Sequence, residues 1–141
     1  MQITLDPGGP HSPAYTAEVA KAIPEAVRVL NHATLNHPGE ALAFPADADT
    51  VIRAVATAAQ RLPQLFGQLC SWLAEEDLSG RTALTYGEFS GEPAAAVATV
   101  RARLDDASAA AHALQSALTA AAAVTATISA SGQGEQETSD G

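Results

Sequence analysis

The sequence predicts an all-α fold, an antiparallel bundle of three main helices, with a fourth segment if a proline divides one of them. Three observations carry that expectation. Residues 93–130 contain no Gly, have a single Pro at their first position, and repeat apolar or small residues at 3-4 spacing. Within residues 92–130, 17 of 39 residues are Ala, the strongest helix former, so local propensity and hydrophobic period agree. Two further segments, 12–36 and 47–77, carry apolar residues at helical spacing between proline- and glycine-rich breaks.

The chain divides into an N-terminal arm over 1–11, a helical domain over 12–130, and an acidic tail over 131–141. The arm contains Pro7-Gly8-Gly9-Pro10, which favours turns over regular structure, and it is expected to be flexible. Ile3 and Leu5 could still pack as a short extended segment. Ser12-Pro13 is a helix start, with Ser as the N-cap and Pro at the first position, where a missing N–H costs nothing. The first helix runs to about Asn36 with Val19, Ile23, Ala26, Val27, Leu30 and Ala33 on its apolar face. Pro24 falls inside it, so the helix kinks there or two helices meet.

His37-Pro38-Gly39 stops that helix, and 37–46 forms a connector whose Leu42 and Phe44 could cover one end of the core. Asp47 or Asp49 can cap the second helix, which ends near Asp77. Its apolar residues fall in two adjacent stripes. One is Val51, Val55, Ala58, Leu62, Leu65, Leu69 and Trp72; the other is Ile52, Ala59, Phe66 and Leu73. A face that wide contacts more than one neighbour. Pro63 lies inside it, followed by Gly67, so a bend is expected.

Glu75-Glu76-Asp77 closes the second helix with three acids, against the preference of a helix C-terminus for cations. The cluster is either a solvated end or a docking patch for a basic partner. Residues 78–91 are then a long link between helices, with three glycines and the aromatics Tyr86 and Phe89. The rings either cover the bundle end or serve as interface anchors. Ser90 and Pro93 open the third helix, whose stripe is Val97, Val100, Leu104, Ala107, Ala111, Leu114, Leu118, Ala121, Thr125 and Ile128. Residues 131–141 hold three acids and no large apolar side chain, which predicts a disordered tail.

Composition excludes several function classes. The net charge is −9, with 7 basic residues against 16 acidic, and no basic stripe exists to follow a phosphate backbone, so direct nucleic-acid binding is not expected. The apolar run 117–130 is short and interrupted by Thr and Ser, so no membrane span is expected. With no signal peptide visible and one cysteine, Cys70, the reading is a cytoplasmic protein without an intrachain disulfide. Cys70 sits among apolar residues and reads as a small buried hydrophobe.

His11, His32, His37 and His112 have no carboxylate or second histidine at the helical spacings that hold a metal, and the Glu-x-x-His pairs of a di-iron bundle are absent. Asp105 and Asp106 point about 100° apart on a helix and form no acid–base dyad. No glycine-rich phosphate loop or nucleophile elbow is present. No catalytic residue, metal or cofactor is expected.

The strings Arg28-Val29-Leu30-Asn31-His32-Ala33-Thr34 and Leu62-Pro63-Gln64-Leu65-Phe66-Gly67-Gln68-Leu69 resemble a group of small uncharacterised helical proteins from high-GC actinobacteria. The resemblance covers residues 18–125. It implies an all-helical fold and transfers no activity and no catalytic residue.

The expected function is therefore a non-enzymatic interaction module that binds a second copy or a partner helix through Val97, Val100, Leu104, Ala107, Ala111, Leu114 and Leu118, with Tyr86 and Phe89 beside them. A second reading is an acidic, antitoxin-like regulator that neutralises a basic protein through Glu75, Glu76 and Asp77. A third is a small-molecule binder with a pocket near Trp72, Tyr86 and Phe89.

Overall fold

The computed structural model describes every residue except 1, 37–39, 81–83, 85 and 139–141, and leaves out the side chains of 36 and 129–138. It is all-α. Three helices, α1 (Pro13–Asn36), α2 (Pro45–Leu78) and α3 (Pro93–Thr138), hold the chain, and no strand occurs among the described residues. Each begins with proline, which is pre-set for the first helical position. Neither internal proline divides its helix: Pro24 lies within a continuous α1 and Pro63 within a continuous α2, so the fourth segment does not arise.

The chain forms two compact units, 1–43 and 44–141. In the first, Ser12 caps α1 as expected, its Oγ accepting the Tyr15 backbone N–H at 3.1 Å. Tyr15 also ties down the arm. Its hydroxyl donates to the Thr4 carbonyl at 2.6 Å and accepts the Asp6 N–H at 3.1 Å. Asp6 in turn accepts the Gly8 N–H at 2.8 Å, and a hollow forms between Leu5, Asp6, Pro7, Tyr15 and Val19. Residues 4–8 are thus laid against the start of α1 by hydrogen bonds to Tyr15. Leu5, at 70% exposure, contributes little burial.

The second unit is a helical hairpin. Asp47 does not act as the N-cap of α2; it sits at the third position and its carboxylate accepts the Phe44 N–H at 2.9 Å. The helix thus begins at Pro45, within the expected connector. At the far end Ser79 satisfies the last carbonyls, with its N–H on Glu75 and its hydroxyl on Glu76. The chain turns back through Gly80, Gly87 and Gly91, all at positive φ, and the Gly91 N–H closes onto the Leu84 carbonyl at 2.9 Å.

α2 and α3 pack along each other. Two long-range bonds set the direction and register: Thr125 Oγ1 donates to Asp49 at 2.5 Å, and Arg53 Nη2 donates to the Ala122 carbonyl at 3.3 Å. Rising numbers on α2 meet falling numbers on α3, so the pair is antiparallel. This register sets Ala59 level with Gln115, Phe66 with Ser108, and Asp77 with Val97.

The buried residues of the hairpin are Ala56, Ala59, Cys70, Ala111 and Ala122, and no large side chain is fully buried among the described residues. Cys70 is the small hydrophobe its sequence context suggested. Around these lie half-buried Asp49, Ile52, Pro63, Phe66, Leu73 and Asp77 on α2 and Leu104, Ser108, Gln115, Leu118 and Thr125 on α3. Together they trace a strict 4-3 repeat on both helices: 49, 52, 56, 59, 63, 66, 70, 73 and 77 on α2, and 104, 108, 111, 115, 118, 122 and 125 on α3. That is the spacing of a coiled-coil seam. Small residues at its centre let the axes approach closely, at the cost of little apolar area buried per residue.

The backbone of α3 is helical to Thr138, beyond the boundary at 130 drawn from the sequence. Gly132 and Gly134 lie in this stretch, and glycine is the poorest helix former after proline, so the helix runs on here against local propensity.

Candidate interaction surface

The seam on α3 is rotated from the stripe drawn on the sequence. Val97, Leu104, Ala107 and Leu118 are half-buried and Ala111 is buried, as a seam requires. Val100 and Leu114 are not part of it. Leu114 is 47% exposed, while the position after it, Gln115, is half-buried; Ala121 is likewise exposed beside a fully buried Ala122. The physical reason is steric. Alanines at the centre give the shortest distance between axes, and the helix turns its bulkier residues outward. A pattern in which nearly every position is apolar or small does not distinguish the two rotations.

The same rotation appears on α2. Ile52, Ala59, Phe66 and Leu73, the narrower of its two stripes, face α3. The wider stripe, Val55, Leu65, Leu69 and Trp72, is exposed. On both helices the exposed apolar residues stand one position before the seam. One residue back is a turn of about 100°. In an antiparallel pair this turns the two stripes toward the same side of the hairpin. One broad face therefore carries Val55, Leu65, Leu69 and Trp72 from α2 together with Val100, Leu114 and Val124 from α3.

The opposite side is polar. Arg53, Thr57, Gln60, Gln115 and Thr119, with Ala56 and Ala122 as floor, line an open groove of about 240 Å³. Arg53 is engaged there: its Nε donates to Asp49 at 2.7 Å as well as reaching the Ala122 carbonyl. Asp49 is held below the ordinary carboxylate range, first by the Thr125 hydroxyl and then by Arg53. A carboxyl whose folded pKa is lowered stabilises the fold above its unfolded value, near 4, and loses that contribution as pH falls through the folded value. Acid should therefore loosen the hairpin below about pH 4. Thr125→Val should flatten that part of the acid-unfolding curve, read by circular dichroism.

Sequence reading did not find this cluster, although Asp49 and Thr125 each occupy a seam position. A hydroxyl within an alanine stripe, and an acid at its other end, are the signals that could have paired them.

The remaining candidates are not drawn together. Tyr86 is 83% exposed, whereas Phe89 is half-buried. Glu75 is exposed, while Glu76 and Asp77 are half-buried and engaged in interactions of their own. The two hollows already described are lined by residues other than Trp72, Tyr86 and Phe89. His11, His32 and His112 are exposed, and no group of three metal-binding side chains occurs among the described residues. His37 lies outside the described residues. No helix among them is long and apolar enough to cross a membrane.

Comparison with family models, with curated proteins and with solved structures finds no match to this chain.

Proposed function

We propose that the chain is a non-enzymatic helical interaction module, which works by covering the apolar face of its α2–α3 hairpin with helices of another polypeptide. The single observation that carries this reading is the two-sidedness of the hairpin. One side exposes Leu69, Trp72 and Leu114, and the other presents Arg53, Thr57, Gln60 and Thr119. An exposed apolar face of this extent, opposite a polar one, marks an interaction site. The contact lies on the part of the α3 stripe left outside the seam, Val100 and Leu114, together with the outer residues of α2, rather than on the whole α3 stripe.

The test is molar mass by size-exclusion chromatography with light scattering at low and high salt, with Trp72 emission recorded on the same samples. Assembly that persists at high salt supports an apolar contact. A monomer whose Trp72 is already shielded from water would sink the reading, because the face would then be covered from within.

The charge of −9 favours a second reading, an acidic regulator of a basic protein. Association that is lost at high salt would support it over the first.

A further inference from the structure

We propose that the occupant of this face is a second copy of the same chain, two hairpins stacking apolar side against apolar side into a four-helix bundle. The proposal deepens the interaction-module reading and rests on it.

Area is the first argument. Val55, Leu65, Leu69, Trp72, Val100, Leu114 and Val124 are between 38% and 61% exposed. Together they offer on the order of 700 Å² per copy, close to the ~800 Å² that one side of a standard interface buries. The usual largest patch on a monomer is about 300–600 Å².

Charge is the second. Along α2 from Val51 to Trp72 every position one before the seam is apolar. Along α3 from Val100 to Val124 the stripe carries one charge, Arg103, already paired with Asp106 of its own helix at 3.2 Å. A chain of net charge −9 has thus kept acids off this face between those residues. Two copies can approach here without placing acid against acid, and the face holds no charge that would select a basic partner.

Symmetry is the third. The face is made of two antiparallel stripes of similar length, so a half-turn presents a similar pair of ridges. That is the self-complementarity a two-fold contact needs. The fourth argument is internal. Among its described residues the hairpin buries only alanines and one cysteine. Two further helices over the face would add the large side chains that its own seam leaves out, as in a four-helix bundle.

The experiment uses the full chain and three variants, Leu69→Glu, Leu114→Glu and Gln60→Glu, by light scattering over a concentration series at high salt. The wild type should have the mass of a dimer. Leu69→Glu and Leu114→Glu should each weaken the dimer by about 30-fold or more, the range of interface hot spots. Gln60→Glu adds the same charge on the polar side and should leave the mass unchanged, which separates a broken interface from added repulsion. Circular dichroism of the two face variants at high concentration controls for unfolding.

A wild-type dimer unaffected by either face variant overturns the face and leaves self-association standing. A wild-type monomer with water-exposed Trp72 emission overturns the second copy and leaves the module reading for a different protein. A monomer with shielded Trp72 overturns both.

Discussion

Ala122→Leu should destabilise the protein by about 1–3 kcal/mol, the range for inserting methylenes into a packed contact, while Ala123→Leu should change stability by less than about 0.5 kcal/mol. The two alanines are neighbours in sequence and share the same helix propensity. Ala122 is 1% exposed, and its carbonyl accepts the Arg53 guanidinium, so a larger side chain there has to push α2 away or leave its rotamer. Ala123 is exposed. Both variants are compared by urea unfolding followed at 222 nm. If Ala122→Leu proves as stable as the wild type, the close approach of the two axes at this level is wrong.

The second large effect has the opposite sign. Pro24→Ala should stabilise α1, by up to the ~3 kcal/mol that separates proline from alanine inside a helix. Pro24 is exposed within a continuous helix, so removing its ring gives up no burial and restores a backbone hydrogen bond. Pro63→Ala should gain less, because that ring is half-buried and its packing is lost along with its strain. Helicity and thermal midpoint by circular dichroism check both. An unchanged midpoint in Pro24→Ala would mean that α1 does not contribute to the cooperative transition.

The helices themselves were legible in the sequence because their signals are local. Ser12-Pro13, Pro93 and the glycines after Leu78 are chemical punctuation, and they act on the backbone within a turn or two. Which side of each helix faces inward was less legible. On α2 two apolar stripes compete, and only the presence of α3 decides that Ile52, Ala59, Phe66 and Leu73 go inside. On α3 the alanines carry so little contrast that the few large side chains set the expected face: by hydropathy Leu114 should be inside and Gln115 outside, and the structure has it the other way. The surface that supports an interaction is therefore visible only once the rotation of both helices is known. The Tyr15 bonds to Thr4 and Asp6 were illegible for a different reason: they depend on how residues 4–8 turn back, which no periodicity records.

The most buried positions of the seam are alanines and one cysteine, evenly spaced along both helices. Sliding α3 by a heptad along α2 would keep the 4-3 spacing and bring Ala59 against Ala122, so the spacing alone does not choose the alignment. The bond from Thr125 to Asp49 and the reach of Arg53 to the Ala122 carbonyl exist in only one of them. A polar pair at one level of a coiled coil is a known way of choosing a register. Here Asp49, Arg53 and Thr125 act as the index mark on a ruler whose divisions are otherwise alike. They tell the hairpin where to stop, and so set which residues of α3 lie level with Leu69 and Trp72 along the apolar face.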